Sequence, residues 1–267
     1  MEGRNRYENK SRIKTRSKRY FKRKMGTAIG ISLLYLIVVS GITMVASFIP
    51  VVGGVASVAV SIPLSFGFIG QLIKFSRNEE FGYFDFFTNG FNNFARAWSI
   101  FGNTLLKLLG WIIALFGTII VGIGVIAALA VVGVVTITGN GNSVESIATA
   151  GGIFAVVAIL MFVVFYALYI VLIVKSYYYV LTEYIGNDNI DMSAKEVVEK
   201  SKELMTGNRW RFFVLSLSFM GWAILASLTC GIGYIWLAPY MEITTIKFYE
   251  DIAGISGESI TDELIEQ

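Results

Sequence analysis

RNRYENKSRIKTRSKRYFKRK, residues 4–24, runs directly into GTAIGISLLYLIVVSGITMVASFI, residues 26–49. The first stretch holds eleven of the chain's 22 Lys and Arg residues, and the second holds no charge at all. A run of about 20 apolar residues is what a membrane-crossing helix needs. Basic residues flanking such a run stay in the cytoplasm, so this junction predicts a cytoplasmic N-terminal arm over 1–25 followed by a first span over 26–49. A secretory leader is the competing reading, but its apolar region would be roughly 7–15 residues rather than the 24 present.

The composition extends that reading to the whole chain. Hydrophobic residues make up 55% and charged residues 15% of its 267 positions, whereas soluble domains carry about 25% charge. Further apolar runs predict spans over 51–75, 108–135, 151–174, 212–229 and 234–249, six in all. The expected fold class is all-α: a polytopic helical membrane bundle with two amphipathic interfacial helices. Residues 26–251 would form one helical membrane domain, and 252–267 an acidic cytoplasmic tail. The last of these elements is interrupted by Pro239, Glu242 and Lys247, so it either crosses or re-enters. A crossing leaves every Lys and Arg on one side, with both termini cytoplasmic. TITGNGNSVESIATA, Thr136–Ala150, carries no Lys or Arg and reads as the sizeable outer loop.

Two stretches have the periodicity of interfacial helices. Over 79–98, Phe84, Phe87, Phe91, Phe94 and Trp98 recur at spacings of three and four, with polar residues between. Over 193–206, Ser193 and Glu196 make a capping box, Ala194, Val197, Val198, Ser201, Leu204 and Met205 share a face, and Gly207 supplies a stop. Each of these helices precedes a span with an early Gly-Trp pair, Gly110-Trp111 and Gly221-Trp222, which is compatible with a duplicated architecture.

Much chemistry is excluded. There is no histidine and Cys230 is the lone cysteine, so imidazole acid–base catalysis, thiolate–imidazole pairs, His/Cys zinc sites and internal disulfides are absent. No phosphate loop, nucleophile elbow or paired catalytic carboxylates occur, and the glycines of VGIGVIAALAVVG lie inside a span. No catalytic residue, metal or cofactor is expected. The basic arm suits anionic headgroups, each residue contributing about 1 kcal/mol near the surface. Without an aromatic-interleaved recognition module it does not point to nucleic acid.

The polar residues left over define the candidate sites. Glu242 lies inside an apolar element, at a cost of roughly 2.5–3.5 kcal/mol, and Thr245 shares its helical face. It is read either as an interfacial carboxylate bonded to a Thr or Arg, or as an ion, proton or solute site. Arg209, Trp210 and Arg211 read as an interface anchor able to contact lipid headgroups. Glu183, Lys175, Gln71 and Lys74 flank spans and are read as snorkelling side chains.

SKELMTGNRWRFFVLSLSFMGWAILASLTCGIGYIWLAPYMEITTIKFYED, Ser201–Asp251, carries Leu204-Met205 with Gly207-Asn208, then LSFMGW, LTCGIG, WLAPY and Phe248-Tyr249 in order. This series resembles the bacterial integral-membrane family known as domain of unknown function 975. The resemblance is strong over these fifty residues and elsewhere rests on hydropathy and span order. It implies a multi-pass bundle in a bacterial plasma membrane and brings no activity, substrate or catalytic residue. The functional expectation is therefore a non-enzymatic membrane protein acting through lipid or protein partners, or as a homo-oligomer, in assembly, accessory or immunity roles. The alternative is a small-solute transporter or channel with Glu242 as its polar site.

Overall fold

The computed structural model describes residues 26–49, 52–139 and 144–255. The basic arm and the acidic tail from 256 lie outside the described residues. Every regular element among them is helical: α1 (Gly26–Ser47), α2 (Val52–Ser76), α3 (Asp85–Asn92), α4 (Phe94–Gly139), α5 (Val144–Ser176), α6 (Thr182–Asp188), α7 (Ala194–Met205), α8 (Arg209–Leu228) and α9 (Tyr234–Ala253). A turn of 3-10 helix covers Tyr177–Tyr179. Five segments are long and apolar enough to cross a membrane: Gly26–Ser47, Gly53–Ser76, Phe94–Val131, Gly152–Asp188 and Arg209–Leu228. The all-α membrane bundle expected from the sequence is what forms.

The sixth expected span, α9, is a full 20-residue helix but does not belong to that apolar set. The reason is visible in its composition. It carries Glu242, Lys247, Glu250 and Asp251, and it buries Leu237, Ile243, Thr244, Ile246, Phe248, Tyr249 and Glu250 against its neighbours. A helix wrapped by protein does not need a lipid-compatible surface.

Two segments depart from expectation. The aromatic stretch over 79–98 is not one helix: a loop precedes α3, and Phe94 already belongs to the 46-residue α4. The break follows from packing on α2. Gly67 and Gly90 lie where α2 and α3 touch, and a Cβ on Gly67 would overlap the Phe86 carbonyl, as one on Gly90 would overlap that of Pro63. This contact buries Phe86 completely and leaves Phe84, Phe87, Phe91 and Phe94 exposed on the other side. Helix also occupies most of the outer loop expected over Thr136–Ala150, since VESIATA contains neither Gly nor Pro; residues 140–143 lie outside the described residues.

The chain divides into two compact units, one of residues 1–104 with 178–267 and one of residues 105–177. The first contains the packed core, where Ile31, Leu64, Phe75, Leu181, Leu237 and Phe248 are almost fully enclosed. Polar groups stitch it. Pro63 has no N–H for the Ala59 carbonyl one turn back, and the Trp98 indole N–H donates to that carbonyl at 3.2 Å instead. Arg96 donates to the carbonyls of Gly186, Asn189 and Met192 at 3.2, 2.6 and 2.8 Å, satisfying the C-terminal end of α6. Gln71 is not a snorkelling residue: it is buried, and its amide nitrogen donates to Gly82 and Tyr83 carbonyls, tying down the loop before α3.

The second unit holds α4 from Leu105 onward and all of α5. Its spans are the most apolar of the chain, with mean hydropathies of 2.7 and 3.0, and no residue of either apolar window is buried. Gly122 faces Met161, and the Lys175 ammonium sits 5.9 Å over the Trp111 ring. A helix apolar all round is one surrounded by hydrocarbon or by other apolar helices.

Candidate functional site: a carboxylate-lined cavity

Helix α9 places Glu242 at its middle, and α6 brings Tyr184 to meet it. The Tyr184 hydroxyl donates to the Glu242 carboxylate at 2.7 Å, while Thr245, three residues further along α9, donates to the Met241 carbonyl at 3.0 Å. Tyr184 therefore meets Glu242, and Thr245 is held by its own helix. One position before Tyr184, Glu183 turns to α2 and accepts a hydrogen bond from Ser65 at 3.1 Å. Asn187, one turn further along α6, anchors this arrangement by donating to the Phe66 carbonyl at 3.0 Å and the Glu183 carbonyl at 2.9 Å.

Both carboxylates line a cavity of about 390 Å³. Ser65, Thr104, Thr182 and Tyr184 supply its other polar groups, and Ile62, Phe66, Ile69, Ala97, Ile100 and Phe101 its apolar wall. Tyr35 of α1 lies within electrostatic reach of both glutamates, and each glutamate within reach of the other. Neither carboxylate is ion-paired with a lysine or arginine among the described residues. Two half-buried carboxyl groups lining one partly open cavity, bonded only by hydroxyls, are an unusual arrangement among membrane-type helices.

Eight residues along α9 from Glu242, about 12 Å at 1.5 Å per residue, the cations gather. Arg77 grips Asp188 through two bonds of 2.7 and 2.8 Å and Glu250 through a third of 3.1 Å. Lys247 bonds Glu250 at 2.7 Å and the Ser76 carbonyl at 3.3 Å, and the Tyr249 hydroxyl donates to Asp188 at 3.0 Å. This cluster locks α2, α6 and α9 together at one end of the cavity-forming elements. Burial opposes the Arg77 charge, but the bonds and Coulomb attraction of Asp188 and Glu250 outweigh it and raise the guanidinium pKa. Here the cations are fully answered by acids, whereas in the cavity the acids stand alone.

The remaining candidates sit apart from the cavity lining. The Arg209 guanidinium stacks 4.2 Å over the Tyr178 ring, and Trp210 is 66% exposed beside Phe213. Arg211 is engaged within the fold, donating to Asp251 at 2.7 Å and to Asn208 at 3.0 Å. Helix α7 has the capping box read from its sequence: the Glu196 amide donates to Ser193 Oγ and the Ser193 amide to the Glu196 carboxylate at 2.7 Å. The hydrogen bonds from Ser193 hold the Glu196 pKa below its usual value. Its apolar face is covered, with Val197, Val198 and Met205 buried and Ser201 donating to the Tyr178 carbonyl at 2.9 Å.

Sequence reading missed Glu183 as a site residue, because it follows an apolar run and a tyrosine belt and so looks interfacial. A signal was present. TEYIGND, Thr182–Asp188, holds two acids and no base, and the next basic residue is Lys195, so no cation nearby in sequence could answer Glu183.

No three His, Cys, Asp or Glu side chains converge on a metal position among the described residues. Fold and site together define a polytopic α-helical membrane protein with a small acidic cavity among its core helices. The chain belongs to the family described as Protein of unknown function (DUF975), whose pattern it matches over residues 1–256. That match takes in the basic arm and the long third span, well beyond the fifty residues that carry the sequence resemblance. No curated protein and no solved structure matches the chain.

Proposed function

We propose that this protein binds and passes a small polar solute or cation through a membrane, using the cavity between α2, α4, α6 and α9. The single observation that carries this reading is the pair Glu183 and Glu242, two carboxylates on separate helices that face one cavity without a compensating cation. An apolar core would be the expected outcome for a protein acting only through its surface. Two such acids on membrane-type helices are sustained where they meet a ligand or a water-filled path. Pro63 of α2 and Pro239, in the second turn of α9, lie inside two continuous helices that border the cavity.

The reading is non-enzymatic and places the protein in a bacterial plasma membrane. The eleven basic residues before α1 support a cytoplasmic N-terminus and attraction to anionic lipid there, and the exposed aromatic side of α3 suits the headgroup layer. A second role through lipid or protein partners is favoured by one observation, the two most apolar windows of α4 and α5, in which no residue is buried.

Thiol accessibility tests the proposal. In a Cys230→Ser background, Ser65→Cys should react in native membranes with a small water-soluble methanethiosulfonate, while Gly117→Cys on the apolar face of α4 should not. A Ser65→Cys protein that is folded, present in the membrane and inert to the reagent would remove the solute path and leave the partner role.

A further inference from the structure

The acceptor pattern inside the cavity specifies a ligand chemistry. Glu183 and Glu242 each accept one hydroxyl bond at Oε2, from Ser65 and Tyr184 respectively. Their Oε1 atoms have no hydrogen-bond partner among the described residues, yet neither is sealed away as a buried unsatisfied atom; both side chains line the cavity. Thr104 lines the same cavity from α4, but its Oγ1 has no accessible surface and does not face the space. Two carboxylate oxygens left without a protein donor at one cavity point to a donor that enters it.

Resting on the solute-cavity reading above, we infer that the ligand is a small aliphatic amine in its ammonium form, received by the free oxygens of Glu183 and Glu242. An ammonium brings a positive charge and N–H donors to two acceptors that lack them. The wall of Ile62, Phe66, Ile69, Ile100 and Phe101 takes an alkyl chain, and a cavity of about 390 Å³ lies at the small end of ligand pockets, roughly 300–1,000 Å³. An alkali cation fits less well, because it has no use for the apolar wall and gathers more oxygens than these two. Charge sets a further condition. One ammonium leaves one of two carboxylates uncompensated, so a diammonium, or an ammonium entering with a proton, balances the site.

Isothermal titration of the full chain in lipid nanodiscs at constant ionic strength tests this with four probes: n-butylammonium, 1,4-diaminobutane, tetramethylammonium and potassium. Butylammonium and diaminobutane should bind, the diamine more tightly. Tetramethylammonium, which has no N–H, and potassium should bind at least tenfold more weakly. Glu242→Gln and Glu183→Gln should each weaken butylammonium at least tenfold, with thermal unfolding confirming that each variant is folded. If one glutamine variant fails to fold, the other and the tetramethylammonium comparison decide. Potassium binding as tightly as butylammonium in a Glu242-dependent way would overturn the amine assignment while the cavity reading stands. Absence of binding by any amine to the folded protein, with Ser65→Cys reactive, would overturn it in the same way. An inert Ser65→Cys would take both readings down together.

Discussion

Replacing Arg77 by methionine is the most informative single change to the fold. The side chain makes three charge-assisted hydrogen bonds, two to Asp188 and one to Glu250. At roughly 1.5–3 kcal/mol for each bond to a charged group, the ceiling of the loss is about 5–9 kcal/mol. Two compensations reduce it: Asp188 keeps Tyr249 and Glu250 keeps Lys247. The guanidinium is also 22% exposed, so water reaches the vacated site and screens the orphaned acids. About 3 kcal/mol remains, within the range for removing one partner of a buried pair. At roughly 2–4 °C per kcal/mol for a chain of this size, thermal unfolding in detergent should fall by about 6–12 °C, read by circular dichroism at 222 nm. Arg77→Lys should fall between, since it keeps the charge but loses the two-pronged grip on Asp188. Combining Arg77→Met with Asp188→Asn should cost less than the sum of the two single changes. A melting temperature within 2 °C of the parent for Arg77→Met would show that the cluster is a surface ornament, and the lock between α2, α6 and α9 would have to be sought elsewhere.

Four further expectations test other parts of the structure. Gly67→Val should prevent stable insertion, seen as loss of monodisperse protein after solubilisation, because its Cβ meets the Phe86 backbone; Gly110→Ala, where the space is open, should be silent. Ser193→Ala should destabilise the protein by about 1 kcal/mol by removing the cap of α7. The Glu196 pKa is lower folded than unfolded, so its contribution is present above the unfolded value and lost as pH falls through the lowered one; Glu196→Gln should flatten that acid-side dependence in a melting-temperature profile. In intact cells, a membrane-impermeant maleimide should label the exposed Cys230 at the α8–α9 turn, whereas Ser193→Cys in a Cys230→Ser background should require permeabilisation, and the reverse pattern would invert the topology.

What was legible in the sequence was whatever hydrocarbon solvation dictates. Apolar runs over 26–49, 51–75 and 212–229 become helices with nearly the same bounds, since a backbone in lipid has to satisfy itself internally. Capping chemistry was equally readable at Ser193 and Glu196, because its partners lie three residues apart. The break before Phe94 was not, because it depends on which glycines lie against another backbone. Gly90 of α3 packs on Gly67 of α2, and no local pattern reports a neighbour 23 residues away in sequence. Trp98 shows the same effect: its spacing placed it in an aromatic stripe, but its indole answers the carbonyl that Pro63 leaves open.

The site divides along the same line. Glu242 stood out because a charge inside an apolar run is costly in any arrangement, so its environment could be inferred from its own segment. Glu183 stood at the end of a run, where snorkelling is an inexpensive explanation, and only the turn of α6 toward Ser65 sets it facing the cavity. Helix α9 joins the two halves of the argument. Its modest hydropathy, which weakens it as a lipid-exposed span, is what a central helix can carry when its neighbours shield it, and that shielding is what lets two acids and several hydroxyls line one cavity. If α9 were moved to the lipid face, Glu242, Lys247 and Glu250 would each need water or a partner within the bilayer. The observed packing removes that cost for Lys247 and Glu250 by pairing them with each other and with Arg77, and leaves it standing at Glu242. A charge whose cost the fold does not relieve is the place to look for a ligand that does.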